Sequence, residues 1–270
     1  MSPADDQDLD DEASGVSDFG ISARGEPVVG PRPPAGAGEV APGADPRVAL
    51  ADAQRRITSA SIGRPLSDSL LTLVAGELSA IADRLEEEAG PGRRARSQPD
   101  PAGDPQHFFP TSPVIGFANP IAPPVVVEAH SGGLRGTAFF DYPYEGPPTC
   151  VHGGVIAMVF DELLGAANIV AGCPAMTGTL TIRYRKPTPL RTTLHLEAAC
   201  LGRQGRKITA RGTISHGDLL LAEAEGIFIE LIPERFLQIV AGAAGTSTEP
   251  LTSGFAPPAG SAPAKEDGPT

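Results

Sequence analysis

One long apolar stretch, at residues 151–171, constrains the fold more than any other part of the chain. It contains no proline and is too long for an ordinary strand, so it predicts one buried helix. Two strand-like runs precede it and four follow, at residues 125–129, 134–140, 176–185, 192–203, 207–215 and 219–231. A single antiparallel sheet wrapped around one central helix is the simplest way to bury both, so we predict an α+β fold.

Two further helices are predicted ahead of these elements, at residues 45–62 and 67–88. Asp45 is a suitable N-cap for the first helix, and Pro46 suits its first turn. In the second helix, apolar residues recur at steps of three and four, and Gly90-Pro91-Gly92 ends it. We expect the two helices to form an αα-hairpin that docks on the main domain.

The domain organisation follows from these elements and from the composition between them. The 32 glycines and 29 prolines concentrate towards the two ends of the chain, where there is little apolar surface to bury. We predict a disordered acidic segment (1–44), a helical extension (45–88), a linker (89–107), the α+β domain (108–232) and a mostly disordered tail (233–270).

The charge distribution narrows the range of ligands. The formal net charge is −12 and no basic stripe is present, which argues against a nucleic-acid-binding protein. Two short stretches are nonetheless cationic, and a local cationic site can bind a polyanionic small molecule even in an acidic protein. The alternative is that both are solvated strand faces. The residues concerned are Arg183, Arg185, Lys186, Arg203, Arg206, Lys207 and Arg211.

The cysteines and the N-terminus predict where in the cell the protein is found. Cys150, Cys173 and Cys200 form no CxxC pair and no metal-ligand spacing, so we predict no metal, no cofactor and a reduced, cytoplasmic location. The acidic N-terminus lacks the apolar core of a signal peptide. No run of about eighteen apolar residues is present, so no membrane span is predicted.

The start of the central helix reads Val151-His152-Gly153-Gly154. Two glycines allow a ligand to approach the backbone closely. The free N–H groups and the positive end of the helix dipole suit an anion or a developing oxyanion. The alternative is an ordinary glycine-containing helix start.

Asp161 is the candidate catalytic carboxylate of the same helix. At 100° per residue it falls opposite the main apolar face, beside the small or apolar Ala157, Leu164 and Gly165 and near Asn168. Such neighbours allow a second subunit to approach, and a carboxylate at that contact is costly unless it is used or paired. The adjacent Glu162 projects about 100° away and is expected to be paired or solvated. Thr177, at the start of the next strand, is a candidate partner of Asp161, although a strand threonine is usually structural.

Taken in order, these segments resemble the hotdog-fold acyl-CoA thioesterases. They are Glu145-Gly146-Pro147-Pro148, Val151-His152-Gly153-Gly154, Asp161, Met176-Thr177, Tyr184-Arg185-Lys186-Pro187 and Gly205-Arg206-Lys207. The likeness is to the PaaI-like branch and its thioesterase superfamily member 4-like relatives, and it covers roughly residues 143–231. It implies the hotdog fold, which agrees with the order of elements predicted above.

The resemblance also implies roles for individual residues. Asp161 would be the nucleophile or the general base in hydrolysis of an acyl-CoA thioester. The Gly153 N–H, with Gly154 nearby, would stabilise the oxyanion, and His152 would position the thioester or the helix start. Thr177 would hold the attacking water, from the partner subunit. The CoA portion would be contacted by Arg183, Arg185, Lys186, Arg206, Lys207 and Arg211.

The sequence departs from this family pattern in several places. Arg183 stands where a neutral polar residue is typical, and Glu162 where a small residue is typical. The N-terminal helices and the Phe117-Ala118-Asn119-Pro120 segment have no counterpart, and such additions can cap an acyl pocket. A non-catalytic acyl-CoA-binding module with a sensing or docking role is the alternative function, and an acyl-CoA hydratase is a third. An exposed sheet edge and a half-formed site predict a homodimer or homotetramer.

Overall fold

The computed structural model describes residues 45–90 and 103–230. Its helices are α1 (Pro46–Gly63), α2 (Asp68–Glu88) and α3 (Gly153–Val170). Its strands are β1 (Val125–His130), β2 (Gly133–Phe139), β3 (Ala175–Tyr184), β4 (Thr193–Gln204), β5 (Lys207–His216) and β6 (Leu219–Glu230). All nine elements predicted from the sequence are therefore confirmed. The predicted disordered segment at 1–44, the tail at 233–270 and residues 91–102 of the predicted linker lie outside the described residues.

The six strands form one antiparallel sheet in the order β1-β2-β4-β5-β6-β3, and α3 packs against one face of it. Alternation along the strands explains this arrangement. In β5, for example, Ile208, Ala210 and Ile214 are fully buried while Lys207 and Arg211 are exposed. One face of the sheet is thus apolar and must be covered, and α3 covers it. The predicted hotdog fold is confirmed.

Leu164 corrects the helical phase inferred from the sequence. The sequence placed it on the open side of α3 beside Asp161, yet it is fully buried. The sheet curves far enough round the helix for the Leu164 side chain to lie over two glycines, where added Cβ atoms would stand 3.1 Å (Gly212) and 3.2 Å (Gly226) from its methyl groups. Asn168, which was placed on the same open side, is buried as well. The physical reason is that a curved sheet contacts a wider arc of a helix than a flat one.

The N-terminal helices differ in how they dock. Asp45 caps α1 by accepting from the Arg47 N–H, as predicted. Ala51 of α1 is buried, and the Arg55 guanidinium donates to the Asn119 carbonyl at 3.0 Å. No residue of α2 is buried. The expectation that the helices dock on the domain holds for α1, while Leu78 of α2 lines a surface cavity together with Ile121 and Tyr144 of the domain.

The predicted linker ends earlier than expected. Residues 105–107 form a short 3-10 helix. Both the oxygen and the nitrogen of the Gln106 side-chain amide bond to β1. Its amide oxygen accepts from the Val127 N–H at 2.8 Å, and its amide nitrogen donates to the Val125 and Ile115 carbonyls. Residues 103–107 therefore belong to the folded domain.

Among the described helices, α3 alone is long and apolar enough to cross a membrane, with a mean hydropathy of 1.5. Half of it is buried inside the fold, and its apolar residues face the sheet. Those features are the ones expected of the core helix of this domain.

We predict that Gly226→Ala destabilises the protein by about 1–3 kcal/mol, because the new methyl group would overpack the core. The added Cβ would stand 2.4 Å from the Phe228 ring. Chemical denaturation measures the effect. Gly165→Ala is the matched control, since its Cβ meets nothing closer than 4.0 Å and alanine favours a helix by up to about 1 kcal/mol. Equal effects of the two substitutions would contradict the close approach described for β6.

Candidate active site

The start of α3 is capped by His152. Its Nδ1 atom accepts a hydrogen bond from the Gly154 N–H at 2.9 Å, and its backbone is extended, as an N-cap requires. The Gly154 donor is therefore already in use. Within residues 45–90 and 103–230, the Gly153 N–H finds no acceptor. Of the two glycines predicted to face an oxyanion, Gly153 is the one whose donor is available.

The loop before α3 fixes where this donor points. Thr149 lies in the left-handed region, with φ of 65°, and its N–H donates to the Glu145 carboxylate at 2.7 Å. The Thr149 carbonyl accepts from the Leu190 N–H, and the His152 N–H donates to the Tyr144 carbonyl, both at 2.9 Å. Such a conformation is costly for a residue other than glycine and persists only where its surroundings hold it. The loop is thus anchored on both sides of the helix start.

Tyr184, the last residue of β3, also reaches the helix start. Its hydroxyl donates to the Gly153 carbonyl at 2.9 Å, and its ring lies 3.6 Å from where a Cβ on Gly153 would stand. The sequence analysis did not assign it a role. Its position in the Tyr184-Arg185-Lys186-Pro187 segment was visible, but the contact with Gly153 joins elements thirty-one residues apart in the chain.

Asp161 and Thr177 are in direct contact. The Thr177 hydroxyl donates to Asp161 Oδ1 at 2.6 Å, and both residues are exposed in the single chain. A short bond of this kind orients the carboxylate. The expectation that this hydroxyl comes from a partner subunit is wrong for the contact seen here, because α3 and β3 of one chain make it. The bulge between Thr177 and Thr179 occurs where β3 begins to pair with β6.

Gly153 and Asp161 of one chain cannot reach the same thioester carbonyl. They are eight positions apart on one helix, which corresponds to about 12 Å along its axis. An oxyanion donor and an attacking group must both lie about 3 Å from one reacting centre. The two halves of the site therefore exist in the chain, but not around a common point.

A cavity of about 750 Å³ opens beside Asp161. Asp161, Glu162 and Ile169 of α3 line one side, and the segment containing Phe109 and Phe117 lines the other. This segment covers the side of α3 that faces away from the sheet. Asp161 thus lies in the gap between the sheet edge that carries Thr177 and this second covering layer.

Glu162 is a partly buried carboxyl next to Asp161. Burial raises its pKa above the ordinary 4.5, a hydrogen bond with the Ser112 side chain lowers the pKa by less, and the charge of Asp161 raises it further. A paired or solvated side chain was expected here. The bond to Ser112 agrees with the first of these, and nothing in the sequence pointed to Ser112 as the partner.

Three of the predicted CoA-binding arginines surround Glu223. The Arg185 guanidinium lies 2.5 Å from its carboxylate, Arg211 lies 3.0 Å away and Arg183 lies 3.7 Å away. Hydrogen bonds from Arg185 and then Arg211 hold the pKa of Glu223 below its usual range. Glu223 could not be identified from the sequence, because its partners lie on β3, directly after β3 and on β5, far from it in the chain.

This arginine cluster (Arg183, Arg185 and Arg211) is not beside Asp161 in the single chain. Strand alternation places Arg183, Arg211 and Glu223 on the outer face of the sheet, opposite α3. Of the remaining predicted contacts, Lys186, Arg206 and Lys207 are exposed, and an Arg206 side-chain nitrogen donates to the Glu230 carbonyl at 3.4 Å.

Comparisons with known proteins agree with the fold. A family model described as the thioesterase superfamily matches residues 149–223. A thioesterase superfamily protein of known crystal structure is 38% identical in sequence to this chain, with a TM-score of 0.62. The match covers 70% of this chain and 92% of the chain in that crystal structure.

Two curated relatives are named acyl-coenzyme A thioesterase THEM4. The one from Xenopus laevis is 38% identical over 94 residues, which are 34% of this chain and 42% of the relative. The one from Mus musculus is 39% identical over 93 residues, covering 34% and 40% of the two chains. This chain therefore spans less than half the length of these relatives.

The raised pKa of Glu162 predicts a pH-dependent stability. The folded state holds this proton more tightly than the unfolded state, so the carboxyl lowers stability progressively as pH rises from about 4.5 through the higher folded pKa. We expect the melting temperature of Glu162→Gln to exceed that of the wild type by an amount that grows as pH rises through this window. Thermal unfolding of both proteins across roughly pH 4–8 measures the effect.

Glu225→Gln serves as the control, because Glu225 is exposed on the outer face of the sheet. A melting difference between wild type and Glu162→Gln that does not change with pH would contradict the burial of this carboxyl.

Proposed function

The chain belongs to the thioesterase superfamily, and from that premise we propose that it hydrolyses acyl-CoA thioesters to the free acid and CoA. One observation carries the proposal. Two groups lie on α3, within residues 149–223: the Asp161 carboxylate, which the Thr177 hydroxyl holds, and the Gly153 N–H, for which the described residues offer no acceptor. The two curated relatives, which this chain matches over less than half their length, are named acyl-coenzyme A thioesterases.

We infer that the working site is formed by two copies of the chain, as a homodimer or within a homotetramer. The separation of about 12 Å along α3 supports this, since Gly153 of one copy and Asp161 of another can then face one carbonyl. The exposed edge strand β3 supports it as well, because an unpaired edge invites a second sheet. Thr177 then stays with the Asp161 of its own chain.

In this site the Gly153 N–H polarises the thioester carbonyl and stabilises the negative charge that develops on its oxygen. A donor of this kind typically contributes about 2.7–4 kcal/mol to the transition state. Asp161 acts either as the nucleophile, forming a mixed anhydride that water opens, or as the general base that takes a proton from the attacking water. The Thr177 hydroxyl orients the carboxylate in both routes, and His152 keeps the helix start in place.

We assign binding of the CoA portion to the exposed arginine and lysine side chains on the outer face of the sheet and at its edges. Guanidinium groups bind phosphates through paired hydrogen bonds, and the arginine cluster shares a single carboxylate, Glu223. Lys186, Arg206 and Lys207 extend the cationic surface. Because this surface lies opposite α3, the proposal requires the nucleotide to pass round the sheet edge at the boundary between two copies.

A cytoplasmic location is part of the proposal. All three cysteines lie within the described residues, and each is a free thiol. Free thiols accord with a reducing compartment.

Asp161→Asn tests the assignment directly. We expect a loss of about 10²–10⁴-fold in the rate of thiol release from acyl-CoA, because the amide can neither attack nor accept the proton. Asp218→Asn is the control, since Asp218 is exposed in the β5–β6 turn. Full activity of the Asp161 variant would refute its role. Tight acyl-CoA binding by the wild type without thiol release would instead favour the alternative, a non-catalytic acyl-CoA-binding module.

A second test asks whether the site is shared between copies. Gly153→Pro removes the donor, yet proline is favoured at the first helical position and the His152 backbone (φ −61°, ψ 132°) already suits a following proline. We expect this variant and Asp161→Asn to be inactive alone. Unfolded and refolded together, they should regain about a quarter of wild-type activity, since half the random dimers are mixed and each contains one intact site.

Gly153→Ala is the control for the proline variant, because it keeps the N–H and its methyl group would meet the Tyr184 ring at an ordinary 3.6 Å. If mass spectrometry shows mixed dimers but no activity returns on mixing, Gly153 and Asp161 do not form one site shared between two copies.

A further inference from the structure

The cavity beside Asp161 has a wall that the thioesterase resemblance does not account for. We define the wall segment as residues 107–118. Phe109 and Phe117 present partly buried rings to the cavity, and Phe108 anchors the segment in the core with 2% of its surface exposed. Across the cavity, Ala166 and Ile169 of α3 supply an opposing apolar surface. The space between is therefore lined by apolar groups on two sides.

The wall segment is held in place by the protein itself. At its start, Gln106 bonds to β1. At its end, Arg55 of α1 donates to the Asn119 carbonyl at 3.0 Å and to the Phe117 carbonyl at 3.5 Å. The wall is thus formed before any ligand arrives, and the N-terminal helix contributes to its position. Preformed apolar pockets of this kind are typical of small-molecule sites.

The size and charge of the cavity restrict what fits. Its volume of about 750 Å³ lies in the range of pockets that enclose drug-sized molecules, far above the need of a two-carbon group. Its acidic side chains are Asp45, Asp161 and Glu162, of which Asp45 pairs with Arg47 at 2.9 Å. The His107 imidazole also lines it and contacts Asp104 at 3.0 Å. A second carboxylate brought in by a ligand would meet like charges.

We propose that this cavity receives the acyl group, and that the substrates are CoA thioesters of uncharged, apolar acyl groups larger than acetyl. The inference rests on the proposed thioesterase function and deepens it. Phe109 and Phe117 determine specificity by contacting the chain beyond the thioester, while the acidic lining excludes acyl groups that end in a carboxylate. Asp161 lines the cavity, so an acyl group held there would have its thioester carbon beside the proposed catalytic carboxylate.

The test compares acetyl-, hexanoyl- and adipoyl-CoA, the last two having equal chain lengths and differing in a terminal carboxylate. For the wild type we expect kcat/KM for hexanoyl-CoA to exceed that for acetyl-CoA by at least about tenfold, because each buried methylene favours binding. It should exceed that for adipoyl-CoA by a similar factor. Phe117→Ala and Phe109→Ala should each lower the hexanoyl-to-acetyl ratio by about tenfold, the effect of a few lost methylene contacts.

Ile121→Ala is the matched control, because Ile121 is an apolar residue close in sequence that is 65% exposed and lies outside this cavity. It should leave the ratio unchanged. Folded Phe117 and Phe109 variants that keep the wild-type ratio would overturn the proposal, as would a wild type that prefers acetyl-CoA or adipoyl-CoA.

If no thioester is hydrolysed, the proposed function is wrong, and calorimetric binding then tests the cavity by itself. Tighter binding of hexanoyl-CoA than of CoA, weakened by Phe117→Ala but not by Ile121→Ala, supports the acyl pocket. Equal affinities for CoA and hexanoyl-CoA overturn it.

Discussion

The burial of α3 in the curve of the sheet is the interaction on which the rest of the structure depends. The helix is apolar over more than half its circumference, and the sheet has one continuous apolar face, so neither is stable without the other. Glycines in β5 and β6 let the two approach closely enough for Leu164 to be enclosed. The same contact sets the height and rotation of α3, and with them the positions of Gly153 and Asp161.

In this position α3 carries the two candidate catalytic groups at its start and in its middle. Its start provides an N–H that capping leaves available, and its middle provides a carboxylate bonded to Thr177. The rise of an α-helix keeps these groups about 12 Å apart, whatever the surroundings. The proposed site shared between two copies rests on this separation and on the exposed edge strand β3.

The N-terminal extension gives this chain a second layer over α3. In the part of the chain that the structure describes, α1 is joined through Arg55 to the end of the wall segment, and the wall segment covers the side of α3 that the sheet leaves open. This second layer partly buries Glu162, and the burial raises the pKa of its carboxyl, while the hydrogen bond with Ser112 lowers that pKa by less. Additions far from the catalytic residues in sequence thus shape the space next to them.

The sequence by itself determined the order and extent of the elements, since periodicity and turn residues are local properties. It also singled out Asp161, Gly153 and Thr177, whose spacing can be read along one segment. Only the tertiary structure decided that Leu164 points inward, that Glu162 meets Ser112 and that Arg183 and Arg211 share Glu223 on the outer face. These depend on sheet curvature and on contacts between distant segments. Helical phase and strand alternation describe one element at a time and contain no information about what lies opposite it.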